Sequence, residues 1–170
     1  MLKPAILALI RQILTVAGTA LVAKGLVQAT DVEPVLTALG RTIMRINQDR
    51  GIGVSVVCDA GLKFRGEKQD LEEMAGNLMD NACKWAKSRV EIVAGAVPGQ
   101  MGRAWLDLRV DDDGPGLPEG ERAQALQRGR RLDESKPGSG LGLSIVAETA
   151  GMYGGKIELA DAELGGLRVL

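Results

Sequence analysis

Asn77 and Asn81 stand four residues apart in the run Asn77-Leu78-Met79-Asp80-Asn81-Ala82-Cys83-Lys84-Trp85, and Lys84 follows three residues later. On a helix that spacing puts both carboxamides and the ammonium on nearly one face. A carboxamide oxygen suits a hard divalent cation, and an ammonium suits phosphate. Taken alone, the pattern also fits a solvated helix face, but paired asparagines are poor helix formers, which keeps a functional reading open. A second cluster, Asp112-Asp113-Gly114-Pro115-Gly116, closes an apolar run, and with Asp111 it places three acids in succession. That is either a strand stop or a divalent-cation loop, and the alternate ligands and terminal glutamate of an EF-hand loop do not follow. The third cluster is Lys136-Pro137-Gly138-Ser139-Gly140-Leu141-Gly142-Leu143-Ser144-Ile145-Val146. Glycines at 138, 140 and 142 let the backbone come close to an anion, and the helix that starts there aims free N–H groups at it. Leu141, Leu143, Ile145 and Val146 begin a packed helix at once, which speaks against a merely flexible loop. A dinucleotide fingerprint would need glycine where Leu143 stands, and no GxxxxGK[ST] occurs, so neither a Rossmann site nor a P-loop is present.

The elements that must position these clusters follow from periodicity. Thr30 and Asp31 offer N-cap oxygens, Glu33 and Pro34 suit a first helical turn, and Val35, Leu36, Leu39, Ile43 and Ile46 share a face. A helix is therefore expected over 31–49, stopped by Arg50-Gly51. Ile52, Val54 and Val56 alternate with smaller residues as a half-buried strand, and 61–65 suits another short one. A helix over 67–87 turns Leu71, Met74, Ala75, Leu78, Met79 and Ala82 to a core. Strands at 90–94 and 104–111 flank the turn-rich AVPGQMG as a hairpin. After Gly116, about twenty polar, Gly- and Arg-rich residues read as one long loop. A further helix runs from near Gly140 to Met152, and strands at 156–160 and 167–170 are joined around Gly165-Gly166.

Composition narrows the chemistry. The chain has 170 residues and no histidine, which excludes Ser-His or Cys-His catalysis, a histidine general base, a His-ligated metal and phosphorylation of this chain on histidine. A net charge of -1 and four aromatics (Phe64, Trp85, Trp105, Tyr153) supply neither the field nor the stacking platform for nucleic acid. Cys58 and Cys83 lack zinc-type spacing and read as reduced, mostly buried residues of a cytoplasmic protein. Residues 2–29 have helical apolar spacing at Ile6, Leu9, Ile10, Ile13, Leu14, Ala17 and Leu21, and their longest charge-free stretch, 12–23, is too short to span a bilayer. A buried or dimer-forming amphipathic helix is expected there, with a membrane-surface or membrane-inserted segment as the alternative.

Taken in order, Asn-x-x-x-Asn-x-x-Lys on a helix, a strand ending Asp-x-Gly-x-Gly, a long lid and a Gly-x-Gly-x-Gly helix start resemble the N, G1 and G2 boxes of sensor histidine kinase ATP-binding domains. That is the GHKL superfamily with the Bergerat fold, and the lid is similar to that of the PhoQ type. The resemblance covers residues 31–170, with 1–30 as a separate apolar segment. It implies an α/β (α+β) two-layer sandwich, with a mixed, mostly antiparallel sheet of about five strands and three helices on one face, and an N-terminal helix outside it. It also implies that ATP and Mg²⁺ are the cofactors. Asn81 would bind the Mg²⁺, Asn77 would shape the same site, Lys84 would meet phosphate and Trp85 would pack on the nucleotide. Asp112 would accept the adenine amino hydrogen, with Gly114 and Gly116 closing over the base. Gly138, Gly140 and Gly142, with Leu141 and Leu143, would form the phosphate-side hinge of the lid. Arg131 and Lys136 would reach the γ-phosphate, assisted by Arg128 or Arg130; Asn77, Lys84 and Arg131 are the residues expected to support transfer.

Two departures from the family pattern bear on function. The phospho-accepting histidine that normally precedes the ATP domain is not in this chain, and Leu126 stands near where an aromatic F-box residue is often found, which bears on lid packing. The last strand is also expected to end short, at Leu170. The expected activity is transfer of the γ-phosphoryl of Mg-ATP to a histidine elsewhere, in a cytoplasmic domain of an inner-membrane sensor. Its expected partners are a histidine-bearing dimerisation domain and a response regulator, with a homodimer left open. A non-catalytic ATP-sensing module and an anti-sigma-factor-type serine kinase are the alternatives.

Overall fold

The computed structural model describes residues 29–99, 104–129 and 140–170. The expectations for 1–28, and for Arg130, Arg131, Lys136 and Gly138, fall outside those residues. A short strand, β1 (Thr30–Asp31), leads into α1 (Val32–Ile46), and a 3₁₀ turn (Gln48–Arg50) ends in Gly51 at φ 66°. Then come β2 (Gly53–Cys58), β3 (Lys63–Phe64), α2 (Lys68–Trp85), β4 (Arg89–Pro98) and β5 (Ala104–Asp112). The chain continues through α3 (Glu119–Ala125), α4 (Gly142–Met152), β6 (Leu159–Asp161) and β7 (Leu167–Val169).

Five strands form one sheet in the order β2-β4-β5-β7-β6, while β1 and β3 pair separately. Only β2 and β4 run parallel, with Val54 opposite Val90 and Val56 opposite Ile92. The remaining pairs are antiparallel: Ile92 faces Val110, Val110 faces Val169, and Ala160 faces Arg168. This register collects Val90, Ile92, Val110 and Val169 into a core shared with Leu36, Leu71, Met79 and Val146 of the helices. Leu36, Leu71 and Met79 are fully buried, each contributing roughly 2 kcal/mol of apolar transfer. α1 packs on β2 and α2, and α2 packs on β4, β5 and α4, so α2 runs through the middle of the helical layer.

The two-layer sandwich with a mixed, mostly antiparallel sheet stands as expected. The long loop after Gly116 does not, since Glu119–Ala125 is a helix with no buried residue. It lacks the apolar stripe that periodicity detects; Pro118 precedes it and Glu119 and Glu121 suit its first turn. The strand expected over 156–160 is formed at Leu159–Asp161, although Glu158 still exchanges backbone hydrogen bonds of 2.8 and 2.9 Å with Leu170. The helix expected over 31–49 ends at Ile46, where Asn47 donates both its backbone N–H and its Nδ2 to the Ile43 carbonyl. Among the described residues no helix is long and apolar enough to cross a membrane.

Candidate nucleotide site

The three successive acids at the end of β5 go to three different places, because strand residues alternate faces and the chain turns at Asp113. Asp111 lies 1% exposed on the sheet face opposite Val110, where Arg168 on neighbouring β7 grips it with contacts of 2.9, 3.2 and 2.7 Å. The Nε of Arg109 approaches the same carboxylate at 3.7 Å. The hydrogen bonds from Arg168 to Asp111 hold that guanidinium's pKa above its usual value despite opposing desolvation. Asp113 turns back over the start of β4. Its Oδ1 accepts from Lys87 N (2.8 Å) and Ser88 N (3.0 Å), and its Oδ2 accepts from Ser88 Oγ (2.6 Å). Desolvation pushes the Asp113 pKa up, but the bonds from the Ser88 hydroxyl and from the Ser88, Arg89 and Lys87 amides outweigh it and hold the pKa well below the ordinary carboxylate range.

Asp112, between them, is 2% exposed. Its Oδ1 accepts from Gly114 N at 2.8 Å and Leu167 N at 3.3 Å, and no hydrogen bond from the described residues engages Oδ2. Burial raises its pKa; the Gly114 and Leu167 amides pull it down, and the Asp113 and Asp111 charges push it up again. The divergence of these acids removes the cation-loop alternative, and no group of three or more acidic, cysteine or histidine side chains among the described residues could hold a metal.

Glycines close this corner. A β-carbon at Gly114 would lie 2.6 Å from the Trp85 carbonyl oxygen, and one at Gly166 would lie 2.2 Å from Asp112 Oδ1 and 2.4 Å from Asp112 O. Gly116, at φ 72°, lies against the Gly166 backbone. The end of α2, the end of β5 and the β6–β7 turn therefore meet around one buried carboxylate.

At the other end, α4 starts beside the polar face of α2. A β-carbon at Gly142 would meet Asn77 Oδ1 at 3.3 Å, and Asn77 Nδ2 donates to the Glu73 carbonyl at 2.8 Å. Asn81 and Lys84 are half-buried further along that helix, and the Lys84 ammonium lies 5.3 Å from the centroid of the Trp85 ring. Gly140, at φ 70°, accepts from Gly129 N at 3.2 Å, which ties together the two described ends flanking 130–139. Leu141 caps α4 and its carbonyl accepts from Ser144 Oγ at 2.9 Å; Leu143 packs against the core. Arg128 pairs at the surface with Glu148 at 3.4 Å.

The expected residues on α2, at Asp112–Gly116 and at 140–143 thus line adjoining surfaces. Sequence reasoning missed Gly166 and the Leu167 amide, which complete the Asp112 corner, and it grouped Asp113 with the neighbouring acids without its hold on the turn into β4. The Gly165-Gly166 pair was the available signal, because a turn of two glycines admits another backbone at close range.

The chain resembles known proteins across most of its described length. Sensor protein kinase CarS of Pseudomonas aeruginosa PAO1 is 44% identical over 126 residues, covering 74% of this chain, and sensor protein PhoQ of Escherichia coli K12 is 36% identical over 138 residues, covering 81%. The chain spans 27% of the length of each of these two relatives. The ATP-binding domain of PrrB from Mycobacterium tuberculosis superposes with a TM-score of 0.67 at 29% identity, over 83% of this chain and 91% of that one. Residues 3–45 match the bacteriophage holin Pam3 gp28 family, a match that runs into α1. Residues 66–170, which hold every described site residue, match the model of the histidine kinase-, DNA gyrase B- and HSP90-like ATPases, and the chain belongs to that family.

Proposed function

We propose that this chain is the catalytic, Mg-ATP-binding domain of a sensor histidine kinase, which transfers the γ-phosphoryl to a histidine outside the chain. The observation that carries the proposal is Asp112: a buried carboxylate with Oδ1 committed to Gly114 and Leu167 and Oδ2 left for an incoming donor such as an adenine amino group. Along α2 the same site changes character, from the glycine-lined base corner to the polar face of Asn81, Lys84 and Asn77. ATP supplies the phosphoryl group and its accompanying magnesium neutralises phosphate charge. Asn81 would hold that metal, Asn77 would shape its surroundings, and Lys84 would face phosphate, with Arg131 and Lys136 of the lid on the γ-phosphate. A single carboxamide would suffice as the protein's ligand to magnesium, a cation that needs few protein oxygens when it accompanies a phosphate substrate. The chain has no histidine, so the acceptor and the group that removes its proton come from a dimerisation domain, and a response regulator receives the phosphate afterwards. A cytoplasmic location follows from the same reading, since ATP and the regulator are found there.

The test is label transfer from γ-labelled ATP to a histidine-bearing dimerisation domain supplied in trans. The expected product is alkali-stable and acid-labile, and it is lost with Asp112→Asn. Tight Mg-ADP binding without transfer would favour an ATP-sensing module, and acid-stable label on a serine would favour a serine kinase.

A further inference from the structure

The C-terminal turn of α2 carries Lys84 and Trp85, and it is held from outside by a residue far away in sequence. Carbonyls in the last turn of a helix have no partner within it and form the negative pole of the helix dipole. Here three of them converge on Arg50. Its Nη1 donates to Cys83 O at 2.6 Å, and its Nη2 donates to Ala86 O at 3.1 Å and Lys84 O at 3.4 Å. The one carbonyl skipped in that series, Trp85 O, is the atom that a β-carbon on Gly114 would strike at 2.6 Å. Arg50 therefore grips the turn around the contact that joins α2 to the Asp112 loop.

The position of Arg50 is itself fixed. Arg50 N donates to Asn47 O, and Gly51, at φ 66°, donates to Gln48 O, both at 3.0 Å; Gly53 N then donates to Ser88 O at 2.8 Å. On the amide side of the same turn, Asp113 accepts from Lys87 N and Ser88 N. The turn from α2 to β4 is thus clamped on its carbonyls by Arg50 and on its amides by Asp113.

We infer that Arg50 is a positioning residue for the base end of the nucleotide site: it sets how closely Trp85 approaches Gly114, and hence how well the corner selects adenine. This rests on the ATP-site reading above. A planar guanidinium fork reaches several carbonyls at once, whereas a lysine ammonium on the same stem is a point charge that can satisfy only part of the set.

The experiment is calorimetric titration of Mg-ADP and Mg-GDP into the intact chain, Arg50→Ala and Arg50→Lys, well below each protein's melting temperature. Arg50→Ala is expected to weaken Mg-ADP roughly tenfold while leaving the weaker Mg-GDP nearly unchanged, so that the adenine preference shrinks; Arg50→Lys recovers part of it. A cap that acts on stability alone would lower the melting temperature without moving the ADP-to-GDP ratio, and that result overturns the inference. Normal Mg-ADP binding by both intact chain and Arg50→Ala overturns the Arg50 role and leaves the ATP site standing. No binding by the folded intact chain overturns both.

Discussion

The two ends of the candidate site are built by opposite means. At the end proposed for the base, a buried aspartate, three backbone segments and glycines with no room for a methyl make a preformed corner. At the other end half-buried side chains on α2 stand beside the start of α4, with looser spacing at Gly142. A base has a fixed outline that a preformed corner can match. A triphosphate carries charge that solvated donors and a cation can follow with little loss. Selectivity should therefore reside in packing at one end, and strength of phosphate binding in charge at the other.

The largest effect expected from that contrast comes from adding a methyl group at each end. In Gly166→Ala the new carbon would sit 2.2 Å from Asp112 Oδ1, 2.4 Å from Asp112 O and 2.5 Å from Gly114 N, two of them backbone atoms that cannot step aside alone. A destabilisation of roughly 3 kcal/mol is expected, read by denaturant unfolding, together with more than a hundredfold loss of Mg-ADP affinity. Gly142→Ala meets the Asn77 side chain, nearest at Oδ1 at 3.3 Å, and lies in the first turn of α4. Its cost is expected below about 1 kcal/mol, since a better helix former offsets the tight contact. Equal losses at the two positions would break the contrast.

Next in size is Asp112→Asn, which keeps the shape and one acceptor but removes the charge. A loss of about 2 kcal/mol in Mg-ADP binding is expected, with the fold intact by circular dichroism. Acid gives the same result reversibly. Because burial raises the Asp112 pKa in the folded chain, the folded state holds that proton more tightly than the unfolded one. Its contribution to stability is complete below the unfolded value and lost as pH rises through the folded value. Asp113 has the opposite sign: its contribution is present above the unfolded aspartate value and disappears as pH falls through its depressed folded value. Nucleotide binding should therefore weaken on acidification before the Asp113 clamp releases. A titration series against pH that is steep for the intact chain and flat for Asp112→Asn would sharpen the assignment, and parallel curves would sink it.

At the open end, Asn81→Ala is expected to remove the tightening of ADP by magnesium while changing metal-free ADP affinity less than about threefold. Titrations with and without the metal read this directly. If metal-free binding falls just as far, Asn81 shapes the pocket and does not bind the cation.

How far the site was legible depended on the distance along the chain between partners. Asn77, Asn81 and Lys84 lie within one helix, and Asp112, Gly114 and Gly116 within one turn, so spacing alone grouped them. Asp113 meets Ser88 at a separation of 25 residues, Asp112 meets Leu167 at 55, and Arg50 meets Cys83 at 33. Those pairings depend on strand order, which no local pattern states. The core elements were readable for the same reason, as α1 and α2 carry apolar stripes and β2 alternates. The helix at Glu119–Ala125 buries nothing, so periodicity had no signal to find.

The smallest effect tests whether the two ends are mechanically separate. Tyr153, just beyond α4, donates its hydroxyl hydrogen to Asp70 Oδ2 and accepts from Glu67 N at 3.1 Å, and its ring meets Phe64 edge-on with centroids 4.9 Å apart. Burial and the bond to Asp70 push its pKa to about 12, so the phenol keeps its proton throughout the neutral range. These contacts pin the far end of α4 to the first turn of α2, away from Asp112. Tyr153→Phe removes the hydroxyl and keeps the ring, for an expected cost of about 1 kcal/mol in unfolding free energy. If the base corner is held by Asp112, Gly114 and Gly166 alone, the adenine-over-guanine preference stays unchanged in this variant while α4 loosens. A shift in that preference would mean that the α2–α4 packing reaches the base corner, and the two ends would then have to be treated as one cooperative unit.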